Sequence, residues 1–251
     1  MKTFFNKNGY IVLKKLLDKN KTQVLRDSFS KTIKYLNKEK KSLNTKINSF
    51  SFFDKQILNF QKKSSKKIEF LYKNIPHYSS FINLFENEKI RSAASKLLNV
   101  DKNNLIICEH QFRMDYPKDL NHTLAWHQDA SFYKQDSNGE DSLVCLVYLQ
   151  STKKNMGSTL ILPGSNHLDV LKYKKYIIDK KKSGQRTVDI KNLEIKPISI
   201  ENNEGDVTFY STKLLHKSGF NTSTKIRYSA IARIFNPLSS SYKSFLKVSR
   251  L

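Results

Sequence analysis

Apolar residues recur along the chain with two different periods, and the change between them divides the sequence. Residues 9–13 form a short apolar run that predicts a strand, and 14–36 place Leu16, Leu17, Val24, Leu25, Phe29, Ile33 and Leu36 at helical intervals. Such spacing lines one face of a helix. The lysine-dense run 38–46 has no period and reads as a loop or a frayed helix end. Helical spacing returns over 50–72, at Phe53, Ile57 and Phe60 and again at Ile68, Leu71 and Tyr72, with the polar stretch 61–67 between them. A stripe of this kind faces a core. Pro76 punctuates, and 81–98 predicts one or two further helices.

From Leu105 the texture changes to short runs rich in Ile, Val, Phe and Tyr. The predicted strands are 105–114, 142–149, 158–161, 194–200, 206–210, 214–217 and 227–235, with turns at Pro117, Asn138-Gly139, Pro163-Gly164, Asn202-Asn203 and Asn221. Closely spaced strands after a helical block predict a mainly β fold with flanking α: a double-sheet jelly roll carrying helices on its outer face. A length of 251 residues suits one domain. Within it, 1–104 is helical support, 105–236 the jelly-roll core and 237–251 a carboxy-terminal tail.

Composition changes this picture little. The formal charge is +23, but only seven of the 45 basic residues are arginine, and the lysines are scattered through every segment. No zinc-finger spacing, RNA-binding aromatic signature or helix-turn-helix pattern accompanies them, so the charge reads as a solvated surface. Attraction of an acidic substrate or partner stays open. Cys108 and Cys145 form neither a disulfide framework nor a zinc cluster, in keeping with a reducing cytoplasm. No apolar run approaches the roughly twenty residues of a membrane span, and the first residues lack a signal-peptide core. A cytoplasmic protein is the expectation.

The candidate chemistry centres on Trp126-His127-Gln128-Asp129, answered far downstream by His216 and Arg227. Two histidines and one carboxylate suit a single ferrous iron, three protein ligands on one face of an octahedron leaving the other positions open. On an extended strand His127 and Asp129 point to the same side and can close on one metal. The third ligand must come from a distant strand, and His216 follows the strand-like run Gly205-Asp206-Val207-Thr208-Phe209-Tyr210. A bare His-x-Asp pair is common by chance; the ordered set is not.

That ordered set is Trp-His-Gln-Asp, then Ile161-Leu162-Pro163-Gly164-Ser165-Asn166-His167, then His216 with Ser218, then Arg227. With the opening Phe5-Asn6-Lys7-Asn8-Gly9-Tyr10-Ile11-Val12-Leu13, it resembles the phytanoyl-CoA dioxygenase family of iron(II)- and 2-oxoglutarate-dependent oxygenases. The resemblance covers nearly the whole chain. It implies a double-stranded β-helix, with iron(II), 2-oxoglutarate and dioxygen as cofactors. His127, Asp129 and His216 match the family's metal ligands, and Arg227 matches the arginine that pairs with the far carboxylate of 2-oxoglutarate through its planar fork.

The lesser assignments follow from position. Ser218 shares a strand face with His216 and is a candidate to help hold the co-substrate, and so is Gln128, which is part of the family motif. Arg233 lies on the same strand face as Arg227 and is a back-up carboxylate partner, with a surface salt bridge as its other reading. His77, His110, His122 and His167 read as structural. Halogenating relatives replace the ligand carboxylate with a small residue, whereas Asp129 keeps it, so the expected outcome is hydroxylation of a small or conjugated metabolite with release of succinate and carbon dioxide. The loop 130–141, the segment Gln111-Phe112-Arg113 and the insertion 168–186 are expected at the cavity mouth. Lys172, Lys174, Lys175, Lys180, Lys181 and Lys182 suit either a lid for an anionic substrate or a solvated mobile loop. A non-catalytic ligand-binding jelly roll and an oxygenase acting on nucleic acid or nucleotides are the alternatives.

Overall fold

The computed structural model describes residues 1–38, 49–120, 123–132, 142–176 and 185–239. The chain opens with helix α1 (Lys2–Asn8), which the sequence reading did not anticipate. It ends at Gly9, whose backbone takes the left-handed conformation at φ 75° and donates to the Phe5 carbonyl. Strand β1 (Tyr10–Leu13) follows as expected. Helix α2 begins at Lys19, not Lys14. Asp206 holds the intervening turn, accepting from the Lys15 amide and the Lys14 ammonium at 2.9 Å each.

The helices α2 (Lys19–Leu36), α3 (Phe50–Lys63), α4 (Ser65–Asn74), α5 (Ser79–Phe85) and α6 (Glu88–Leu98) form the expected block. Ser49 caps α3 by accepting from the Phe52 amide, and α3 and α4 part at Ser64, inside the polar stretch that separates their apolar stripes. Residues 39–48, which hold most of the lysine-dense run, lie outside the described residues.

Strands β2 (Ile106–Asp115), β3 (Ser142–Tyr148), β8 (Val207–Ser211) and β10 (Arg227–Phe235) build the main sheet with β1, in the order β1-β8-β3-β10-β2, every pair antiparallel. A smaller sheet pairs β4 (Leu160–Ile161) with β7 (Ile198–Ser199) and β9 (His216–Lys217). The fold is a jelly roll of the double-stranded β-helix type. In its smaller sheet the runs read as strands over 158–161, 194–200 and 214–217 shorten to two-residue pairings.

Alternation along the main sheet sorts its side chains between two cores. Leu143, Cys145, Val147, Phe209, Ala230, Ala232 and Ile234 face the helices. There Phe29, Phe53, Phe112 and Tyr228 form a ring cluster with centroids 4.9–6.3 Å apart, and the Tyr228 hydroxyl donates to Asp54 at 2.9 Å. Val144, Leu146, Tyr148, Tyr210 and Ile231 face the smaller sheet with Ile161 and Leu214. The functional residues lie in this second space.

The insertion 168–186 contains a hairpin that the sequence pattern did not reveal, β5 (Tyr173–Tyr176) paired with β6 (Gln185–Val188). Its base is docked: the Tyr173 hydroxyl donates to the Ser131 carbonyl at 2.7 Å and the Val188 amide to the Trp126 carbonyl at 3.0 Å. Lys172 and Lys174 are exposed, Lys174 on β5, while Lys180, Lys181 and Lys182 lie outside the described residues. No helix among the described residues is long and apolar enough to cross a membrane.

Candidate metal centre

His127 and His216 meet across the interior through an isolated antiparallel bridge, each amide donating to the other's carbonyl at 3.0 Å. Asp129 does not continue a strand, as the alternation reading had it, but opens a 3-10 turn, Asp129–Phe132. The turn brings its carboxylate back toward the two rings. His127 Nε2 stands 3.3 Å and His216 Nε2 3.6 Å from Asp129 Oδ1, all three residues being buried.

The ring tautomers follow from the second nitrogens. His127 Nδ1 lies 2.7 Å from the Ala125 carbonyl and His216 Nδ1 2.9 Å from the Leu214 carbonyl. A carbonyl only accepts, so each Nδ1 carries a proton, and in the neutral ring each Nε2 presents a lone pair inward. Burial, reinforced by the neighbouring His127, pulls the His216 pKa down to about 3, so the ring is neutral at physiological pH. Burial alone would raise the Asp129 carboxyl, but the Arg233 guanidinium outweighs it and holds the group well below the usual carboxylate range. Asp129 Oδ1 is buried and accepts no hydrogen bond. With both rings neutral, two lone pairs and an anionic oxygen converge, a donor set that fits a divalent transition metal.

The pocket beside this cluster encloses about 410 Å³ including its open mouth. Alternate residues of β10, from Arg227 through Ser229 and Ile231 to Arg233, line it together with Arg113, Lys217 and Ser218. Arg227 is buried; its Nη2 and Nε contact Asp115 Oδ2 at 2.7 and 3.3 Å, and its Nη1 donates to the Gly157 carbonyl. Gly157 is required there: a Cβ would sit 2.6 Å from the Gly219 carbonyl oxygen. Asp115 also pairs with Arg113 at 2.9 Å.

Two expectations need correction. Arg233 makes no surface salt bridge: it is 8% exposed and donates from Nε and Nη2 to Asp129 Oδ2 at 3.0 and 2.7 Å. Gln128 does not reach the pocket. Its Nε2 donates to the Lys213 and Asp169 carbonyls and its Oε1 accepts from the Leu171 amide, so it ties the insertion to the ligand segment. Gln128→Ala should lower the melting temperature, by about 1–3 kcal/mol of stability for each buried backbone group left unpaired, with 2-oxoglutarate affinity unchanged. A fall in affinity at unchanged stability would restore the co-substrate role.

Among the other histidines, His167 ends the Ser165–His167 turn, whose Ser165 hydroxyl accepts from the Leu215 amide just before the metal-facing His216. His110 lies against the Phe81 and Phe85 rings on the helical side, and His77 is exposed at the end of a short turn. His122 lies outside the described residues.

The model of the family described as Phytanoyl-CoA dioxygenase (PhyH) matches residues 5–229. The chain belongs to the phytanoyl-CoA dioxygenase family. It is an iron(II)- and 2-oxoglutarate-dependent oxygenase whose cofactors are iron(II), 2-oxoglutarate and dioxygen. No curated protein matches it by sequence. Among solved structures, the apo form of the non-heme monooxygenase ThoJ superposes with a TM-score of 0.66 at 14% identity, covering 94% of this chain and 77% of that one. The epimerase SnoN, in complex with Fe3+, alpha ketoglutarate and nogalamycin RO, gives a TM-score of 0.61 at 15% identity, over 93% of this chain and 81% of its own. EvdO2 from Micromonospora carbonacea var. aurantiaca, complexed with 2-oxoglutarate, gives 0.61 at 14%, over 94% and 89%. At these identities the likeness shows the oxygenase's fold.

Proposed function

We propose that this oxygenase hydroxylates a small, anionic organic metabolite, with His127, Asp129 and His216 holding iron(II) and Arg227 holding the far carboxylate of 2-oxoglutarate. The carrying observation is Asp129 Oδ1, buried without a hydrogen bond between two imidazole nitrogens. An uncompensated buried carboxylate oxygen is costly, and a metal cation is the partner this donor set suits. With the cofactors bound, 2-oxoglutarate is decarboxylated to succinate and carbon dioxide as one oxygen atom of dioxygen passes to the substrate.

The chain's own residues orient that chemistry and exclude water from it. A guanidinium carries five N–H donors, so the contacts of Arg227 with Asp115 and Gly157 leave its fork able to take a further carboxylate from the pocket. Ser218, buried and lining the same pocket, is placed to add a hydroxyl donor. Both free cysteines, like ferrous iron, are in keeping with a reducing, cytoplasmic location.

Charge supports the anionic substrate. Arg113, Arg227, Arg233 and Lys217 line the pocket, and the carboxylates paired with them are those of Asp115 and Asp129. Iron(II) and the 2-oxoglutarate dianion cancel one another, so a positive surplus remains for the substrate. Such a surplus favours a carboxylate or phosphate and opposes a cation.

Anaerobic titration of the iron(II)-loaded protein with 2-oxoglutarate tests this reading without a substrate. A saturable visible metal-to-ligand charge-transfer band is expected; iron binding without the band would refute the co-substrate site.

A further inference from the structure

Arg233 approaches its carboxylate in an uncommon way. A guanidinium beside a carboxylate typically engages both oxygens with two parallel N–H donors. Here Nε and Nη2 both converge on Asp129 Oδ2, while Oδ1 is left bare toward His127 and His216.

The fold holds this geometry from both sides. Asp129 is anchored by the neighbouring Ala130 amide, which donates to the Thr212 carbonyl at 2.9 Å, and by the three hydrogen bonds of Gln128. Arg233 sits in β10 where its register with β2 shifts: Ile231 faces Gln111 but Arg233 faces Cys108. The extra β2 residue includes Glu109 at φ 49°, a bulge of the kind that re-aims side chains beside active sites. On β3 the register stays regular, with Arg233 opposite Val144.

We propose that Arg233 is a positioning residue that fixes Asp129 as a one-oxygen metal ligand and thereby keeps a coordination position open for dioxygen. This rests on the metal and co-substrate reading above. Three protein ligands and a chelating 2-oxoglutarate leave one position of an octahedron. A carboxylate free to turn and ligate through both oxygens would fill it. With Oδ2 held by two donors from a buried guanidinium, only Oδ1 is available to the metal.

The test uses Arg233→Met, which retains an extended side chain, and Arg233→Lys, which retains the charge but not the planar pair of donors. Iron(II) affinity is measured anaerobically, and nitric oxide, a dioxygen surrogate, is then titrated into the iron–2-oxoglutarate complex and followed by electron paramagnetic resonance. The unaltered protein should bind both. Arg233→Met should lose about 10–100-fold in iron affinity and show weakened nitric oxide binding, with Arg233→Lys between the two. If Arg233→Met does not fold, Arg233→Lys decides by the same two readings. Unchanged iron and nitric oxide affinities in the folded variants would overturn the inference while leaving the metal site standing. Failure of the unaltered protein to bind iron would overturn the metal-site reading and this inference with it.

Discussion

Replacing Asp129 with alanine is expected to cause two separable losses, one in metal binding and one in stability. Removing the only carboxylate of the triad should lower iron affinity by more than about a hundredfold, beyond the range for groups that merely orient a ligand. Iron-dependent succinate formation should fall to background. The second loss comes from Arg233, which is buried and whose charge is balanced by Asp129. Breaking a buried ion pair from one side costs about 3–5 kcal/mol, which for a chain of this size lowers the melting temperature by roughly 6–20 °C.

The double variant Asp129→Ala, Arg233→Met separates these effects. Without the stranded cation it should recover much of the melting temperature yet regain no iron binding and no turnover. Asp129→Asn should behave similarly, since a neutral acceptor stays beside the guanidinium while the anionic ligand is gone. Undiminished iron-dependent succinate formation in any of the three would refute Asp129 as a ligand.

The double role of Asp129 also marks where the sequence stops being informative. The order His127, Asp129, His216, Arg227 is a linear pattern tied to one chemistry, and it could be read without knowing how the chain folds. The contact between Arg233 and Asp129 joins residues far apart in sequence and depends on a register shift at a bulge that no local pattern announces. For the same reason the strand-face argument put Arg233 on the pocket side with Arg227 but did not say which carboxylate it would meet.

The errors in the secondary-structure reading have similar causes. Strand β10 was legible because Tyr228, Ile231, Ile234 and Phe235 favour a strand and no glycine or proline interrupts Arg227–Phe235. The hairpin of β5 and β6 was not, because Tyr173-Lys174-Lys175-Tyr176 carries no apolar alternation and is held by partners on other segments, among them Ser131 and Trp126. Gln128 was a co-substrate candidate only through the family motif, which says nothing of where its side chain goes. Its amide instead meets backbone groups of Lys213, Asp169 and Leu171, all distant in sequence.

Arg227→Ala should weaken 2-oxoglutarate binding while sparing the metal. Truncating one partner of a buried, hydrogen-bonded charge pair costs about 2–5 kcal/mol, so the co-substrate dissociation constant should rise roughly thirtyfold or more. Iron(II) affinity should be unchanged, since Arg227 contacts none of the three proposed ligands: it pairs with Asp115 and Gly157 and lies over the Tyr148 ring. Arg227→Lys should recover only part of the loss, because an ammonium keeps the charge but not the fork. The same variants should alter the acid limb of stability. Burial pushes the Asp115 carboxyl up, but Arg113 and Arg227 together hold it at about 2. A carboxylate depressed from its usual value near 3.9 contributes stability that is fully present above that value and lost as pH falls toward about 2. Without Arg227 the folded-state pKa rises, so Arg227→Ala should begin to unfold at a higher pH than the unaltered protein. The two measurements distinguish two roles for one arginine. An acid shift with unchanged 2-oxoglutarate affinity would make Arg227 a structural partner of Asp115 and pass the co-substrate role to Arg113 or Lys217, the other cations of the pocket besides the Asp129-bound Arg233. Loss of affinity together with the shift would mean that one guanidinium holds the protein's carboxylate on one side and the co-substrate's on the other.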